Sequence, residues 1–189
     1  MSSEFSYLSQ KIECSKFKKE PFDHIVVDDF FTDEHFNKIT NSKQIKTRKF
    51  ETHKDVVDGL IGLGYEPQPF PGCITDVDEY IKFADKKNKI NRSLIKGYGK
   101  NVIEGYGLTM RLNRIDDDFL VKLIKYLNGD EFQGVLKSKF LIEKEVSIET
   151  AYQKNLKHYE ISPHCDTSRK ALTYMINIYN NENVKDLEM

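Results

Sequence analysis

The stretch Tyr159-Glu160-Ile161-Ser162-Pro163-His164-Cys165-Asp166 decides how this sequence is read. It closes a strand-like run, Leu156–His164, in which aromatic and β-branched residues are frequent. In a strand, residues two apart point to the same face, so His164 and Asp166 stand side by side, about 6–7 Å apart along the chain. An imidazole and a carboxylate at that spacing can take two adjacent positions on one metal ion. A second histidine from a distant strand would complete the facial triad of two histidines and one carboxylate, which leaves open positions on iron(II). Taken alone the pair is a weak signal. The chain has five histidines and 30 acidic residues, and a surface histidine near an aspartate needs no metal.

Working outward, a second strand-like run, Ala171–Tyr179, follows and is joined to the first by Cys165–Lys170. Upstream lie two helical patterns. Asp117 or Asp118 caps a segment in which Phe119, Leu120, Leu123, Ile124 and Leu127 share one face, and Asn128-Gly129 ends it. Asp130 opens the next helix, with Phe132, Val135, Leu136 and Phe140 inward; such stripes are core packing. Further back, His24–Phe31 predicts a strand. Thr32 caps a short helix with Asp33 and Glu34 in its first turn and Phe36 and Ile39 inward.

Residues 1–20 are polar and lysine-rich and are expected as a loosely held arm, with a single domain over 21–189. The segment 41–75 is irregular. Its Gly59-Leu60-Ile61-Gly62-Leu63-Gly64 has the wrong glycine order for a phosphate loop, and Pro67, Pro69 and Pro71 stand where the required helix would begin. With helices concentrated before about residue 145 and strand-like runs after it, the fold class is α+β.

Composition excludes several functions. Basic and acidic residues number 29 and 30, a net charge of −1, which does not suit a nucleic-acid coat. One local exception is the acid-free run of Lys86, Lys87, Lys89, Arg92, Lys96 and Lys100, read first as a solvated face and second as a docking patch for an anion. Cys14, Cys73 and Cys165 form no CxxC pair, so neither a zinc ribbon nor a dithiol redox site is encoded. No run approaches the roughly 18 apolar residues of a membrane helix, and the N-terminus has no secretory pattern. A cytoplasmic protein with free thiols is the expectation.

The context of the histidine-aspartate pair says more than the pair. Tyr159-x-Ile161-x-Pro163-His164-x-Asp166, then Lys170-Ala171-Leu172-Thr173 and Ile176-x-Ile178-Tyr179-Asn180, resembles a stretch of the iron(II)/2-oxoglutarate-dependent oxygenases, in particular the small prolyl-hydroxylase-like phage and bacterial members. Pro21-Phe22-x-His24-Ile25-Val26-Val27-Asp28-Asp29-Phe30-Phe31 is similar to that family's opening strand. Phe70-Pro71-Gly72 and the helix pair of Asn128–Phe140 stand where similar members have a Pro-Gly turn and helices.

The resemblance implies N-terminal helices packed on a partial double-stranded β-helix, or jelly-roll, core. It implies His164 and Asp166 as iron ligands, with no catalytic side chain beyond them, and Tyr159 and Thr173 as candidates for touching 2-oxoglutarate. Strict alternation puts Tyr159 on the face opposite His164 unless the strand bulges, and ordinary packing competes with a ligand role for both hydroxyls. Iron(II) and 2-oxoglutarate are thus the implied cofactors, and a peptide side chain or a small molecule is the implied substrate.

The same resemblance calls for a second histidine well downstream and a basic clamp beyond it. Only 23 residues follow Asp166, and Asn180–Met189 holds no histidine or arginine. His158 is six residues before His164, roughly 20 Å away if extended; His24, His35 and His53 are expected in solvent or core roles. The expectation is therefore a chain lacking the C-terminal core strands, weakly active or inactive by itself and prone to self-association through an exposed strand edge. The alternative is a non-catalytic β-sandwich interaction module. A cupin-like enzyme fits less well, because cupins favour HxH and this sequence has none.

Overall fold

Thr32, Thr52, Asp76 and Asp117 each place a side-chain oxygen over the first backbone N–H groups of a helix, and these caps mark four of the helices in the computed structural model. The structure describes residues 3–46, 49–68, 76–85, 107–157, 159, 166 and 168–179. Among these the helices are α1 (Ser6–Cys14), α2 (Asp33–Asn41), α3 (His53–Gly62), α4 (Val77–Asp85), α5 (Asp118–Leu127) and α6 (Asp130–Lys139). The strands are β1 (Phe17–Lys18), β2 (His24–Ile25), β3 (Tyr65–Pro67), β4 (Thr109–Leu112) and β5 (Gln153–Asn155). They form two antiparallel sheets, β1-β2 and β3-β4-β5, so helix and sheet are mixed, as an α+β chain requires. The chain divides into two compact units: Met1–Lys46, Asp117–Thr150 and Ser168–Met189 form one, Thr47–Asp116 and Ala151–Thr167 the other.

In the first unit, α1 packs on α6, α6 on α5, and α5 on α2. The segment expected as a loose arm is held here. Phe5, Leu8, Ser9 and Ile12 recur at i, i+3, i+4 and i+7 and are all buried. A nine-residue helix is marginal alone, so this stripe is what holds it. Ser9 Oγ lies 2.6 Å from the Tyr126 hydroxyl, which in turn donates to Glu131 Oε1 at 2.9 Å. At the other end of α1, the Lys139 ammonium donates to the carbonyls of Glu13 and Ser15 at 2.8 and 2.6 Å, where the helix dipole favours a cation. The predicted helices α2, α5 and α6 are observed, α2 and α5 with their side-chain caps. Leu120, Leu123 and Leu127 face inward on α5, as do Phe132 and Leu136 on α6.

Two strand expectations are corrected. Of His24–Phe31, only His24 and Ile25 pair, opposite Lys18 and Phe17; Val26 is 55% exposed, and Asp29 turns the chain with φ of +48°. Ala171–Tyr179 joins no ladder among the described residues, although its burial alternates. Leu172, Tyr174, Ile176 and Ile178 are half-buried and the residues between them exposed. Tyr174 is fixed to the first unit by a hydroxyl contact with Thr150 and an edge contact with the Phe132 ring.

In the second unit α3 packs on α4 and on β3. Helix α3 lies inside the segment read as irregular. Thr52 and Asp55 close a reciprocal capping box, and Val57 and Leu60 turn inward. After it, Gly64 adopts φ of +94° and accepts from the N–H groups of Asn113 and Arg114; a Cβ there would lie 2.5 Å from the Arg114 carbonyl oxygen. Among the described residues no helix is long and apolar enough to cross a membrane.

Two predictions follow from this core. Beyond α6, Leu141 occupies the left-handed position of a Schellman-type ending: φ is +53°, its N–H points to Ser138 O, and Ile142 N–H reaches Lys137 O at 2.9 Å. Its side chain is 86% exposed. Leu141→Gly should therefore raise stability by about 1 kcal/mol, read as a higher urea midpoint; a lower midpoint would show that the side chain contributes packing. Burial also pushes the phenols of Tyr65, Tyr126 and Tyr174 above their ordinary 10.0. Each is harder to ionise folded than unfolded, so their contribution is full below pH 10 and is lost as pH rises above it. Circular dichroism should show alkaline unfolding from there, and Tyr65→Phe should move its onset to higher pH.

Candidate functional site

Strand β4 lies between β3 and β5, and its register assigns the two sheet faces. Tyr65 pairs with Leu112, and Pro67 and Lys154 flank Met110, so these five residues share one face. It is largely apolar, and the Lys154 ammonium lies 5.7 Å from the Tyr65 ring centre. The opposite face is polar. Glu66, Arg111 and Gln153 form one cross-strand row, and Thr109 pairs with Asn155 in the next. Thr109 is fully buried and donates to Asn155 Oδ1 at 3.1 Å, which also accepts from Gln153 Nε2 at 3.0 Å.

The segment leading to Asp166 leaves this sheet at a turn. Leu156 N–H still donates to Leu108 O at 2.9 Å, but Tyr159 N–H bonds back to Leu156 O at 3.0 Å. The predicted strand Leu156–His164 is therefore interrupted at its start. Three contacts hold the turn. Leu108 supplies the carbonyl just named. The buried Tyr80 of α4 donates its hydroxyl to Lys157 O at 3.2 Å. Gly107, itself buried, takes the Tyr159 backbone: a Cβ on Gly107 would overlap the Cα and N of Tyr159. Tyr80 is packed in turn, edge-on, against the His53 ring at 6.4 Å.

The residues singled out from sequence are distributed as follows. Asp166 is exposed and belongs to the second unit; Tyr159 is half-buried in the same unit. Thr173 is exposed and belongs to the first unit. His164, Cys165, His158, Cys73, the Phe70-Pro71-Gly72 turn and the basic run of residues 86–100 lie outside the described residues. His35 is a core residue. Its ring sits among Phe5, Tyr7 and Phe119, and Nδ1 is 2.9 Å from the Tyr7 hydroxyl. His24 Nδ1 lies 2.8 Å from Phe22 O.

Among the described residues no group of three or more His, Cys, Asp and Glu side chains is arranged to hold a metal. Of the implied iron donors, the described one fits: an exposed carboxylate at Asp166 is a hard oxygen ligand reachable from solvent. Sequence reasoning missed Tyr80 and Gly107. Tyr80 was visible only as an aromatic residue four before Ala84 on one helix face, and Gly107 as a glycine two residues ahead of a strand. Compared with protein-family models, with curated proteins and with solved structures, the chain matches none.

Proposed function

We propose that this chain carries half of an iron(II) site of the 2-oxoglutarate-dependent oxygenase kind, with His164 and Asp166 as the two ligands and a jelly-roll-like arrangement around them. The observation that carries the reading is the ordered run from Tyr159 through His164, Asp166 and Thr173 to Asn180. The exposed carboxylate of Asp166 supports it. Iron with 2-oxoglutarate, when bound, would supply the oxidation of an unreactive C–H bond on a peptide side chain or a small molecule. The chain's own residues bind and orient: Asp166 lowers the charge of the site, His164 supplies nitrogen, and the hydroxyls of Tyr159 and Thr173 are candidates for the cosubstrate. Two protein ligands hold iron weakly, so the 189-residue polypeptide by itself should turn over little or no 2-oxoglutarate.

Anaerobic titration with iron(II) and 2-oxoglutarate tests this. A weak visible band should grow in, and His164→Ala or Asp166→Asn should reduce metal affinity at least about tenfold. A wild-type chain with no band, and metal binding indifferent to both substitutions, would sink the reading in favour of a non-catalytic interaction module. Efficient formation of succinate by the purified chain would instead overturn the statement that it is weak alone.

A further inference from the structure

We infer that the outer edge of β1 docks an extended peptide in which acidic and apolar residues alternate, added as a third strand to the β1-β2 ribbon. This surface lies within the first unit and does not depend on the iron reading. In an antiparallel pair, alternate residues turn their N–H and C=O groups away from the partner strand. Beyond the ladder with β2, the backbone of residues 16–19 makes no hydrogen bond among the described residues, so one edge of β1 is open. Such an edge is a template for another chain. It is also selective. The edge offers both donors and acceptors, and a second polypeptide backbone can satisfy both. The phosphate oxygens of a nucleic acid or a lipid head group would leave its carbonyls without donors.

The two faces of the ribbon set the side chains of the added strand. Phe17 and Ile25 are directly opposed and share a face, and the Phe17 ring meets the Phe140 ring at 5.4 Å. Beside Phe17 lies an open cleft of about 490 Å³, lined also by Glu13 of α1 and by Val135, Ser138 and Lys139 of α6. No residue of β2 is among these, so the cleft lies toward the open edge of β1. A residue set beside Phe17 would stand over it. The Lys139 ammonium already donates to the carbonyls of Glu13 and Ser15, and Glu13 adds a negative charge, so an apolar side chain suits the cleft better than an acid. The other face is basic. Lys18 and, just before the strand, Lys16 alternate along it, both exposed, with the exposed Lys19 following; Glu20 and Asp23 belong to the connection to β2. Acidic cross-strand neighbours are favoured there. A second copy of β1 would instead set lysine against lysine, so the charge selects a foreign segment over self-pairing.

The test is fluorescence anisotropy with the full chain and a labelled acetyl-Glu-Val-Glu-Val-Glu peptide at low ionic strength, where exposed charges are least screened. The peptide should bind, and more tightly than Lys-Val-Lys-Val-Lys by about tenfold or more. Only alternate N–H groups of an added strand face β1, so N-methylation of the valines alone and of the glutamates alone should differ: one form loses binding and the other keeps it. Lys18→Glu should weaken binding about three- to tenfold, whereas Lys122→Glu, the same charge reversal at an exposed position of α5, should leave it unchanged. Ser138→Phe, which fills the cleft from an exposed position, should also weaken it. Equal binding of the acidic and basic peptides would overturn the inference. So would methylated forms that both bind or both fail, or equal effects of Lys18→Glu and Lys122→Glu. Phosphatidylserine vesicles or oligothymidylate bound in a Lys18-dependent way, with the peptide unbound, would likewise overturn it and leave only a cationic patch.

Discussion

Met110, in the middle of β4, is opposed by Pro67 on one side and Lys154 on the other, and this double pairing organises the second unit. The three strands contribute only ten residues between them, so each ladder alone would be marginal. Joined through β4 they bury Tyr65, Met110 and Leu112 on one face. Pro67 can sit in β3 because this strand pairs with β4 alone among the described residues. A proline lacks the donor that a doubly paired strand would need. Gln68 restores the bonding one residue later, donating to Thr109 O at 2.8 Å. Continuity of β4 with Leu108 and Gly107 then carries the same order out to the turn before Asp166.

The first unit is organised around a hydroxyl rather than a ladder. Tyr126 is buried, and its phenol oxygen joins Ser9 of α1 to Glu131 of α6. A serine in the apolar stripe of α1 would be costly without that partner. With it, the helix gains a fixed rotation, since only one face of α1 presents Ser9 to Tyr126. The rings of Phe5, Phe119 and Phe132 pack around the same site at centroid distances of 5.5 to 6.0 Å, within the range of favourable aromatic pairs. His35 belongs to this cluster, which explains why an imidazole beside a carboxylate-rich helix start is core.

Legibility in the sequence followed the range of the interaction responsible. Helices α2, α5 and α6 were readable because Thr32, Asp117 and the Asn128-Gly129 pair act within a turn of where they stand. Helix α3 was hidden by Gly59, which costs a helix interior about 1 kcal/mol relative to alanine. That glycine is covered by the Phe50 ring, whose Cε1 would lie 2.7 Å from a Cβ, and this contact is invisible to local patterning. The α1 stripe was present at 5, 8, 9 and 12, but Ser9 breaks it for any reading that counts only apolar residues. Val26 and Val27 suggested a longer β2; without a pairing partner beyond Ile25, propensity had nothing to act on. At the site, His164 and Asp166 were read from spacing, whereas Tyr80 is 77 residues from the carbonyl it holds. No periodicity encodes a contact of that length.

Spacing and anchoring weigh differently in a site with few ligands. Where three protein donors surround a metal, the ion itself can order the strands that carry them, because each added bond offsets the entropy of fixing another stretch of chain. With two donors two residues apart, both bonds fall on one segment, and any disorder in it subtracts from a small total. Preorganisation must then come from the protein. In this chain the turn of Leu156–Tyr159 is itself held from three directions, by the ladder, the Tyr80 hydroxyl and the bare backbone of Gly107.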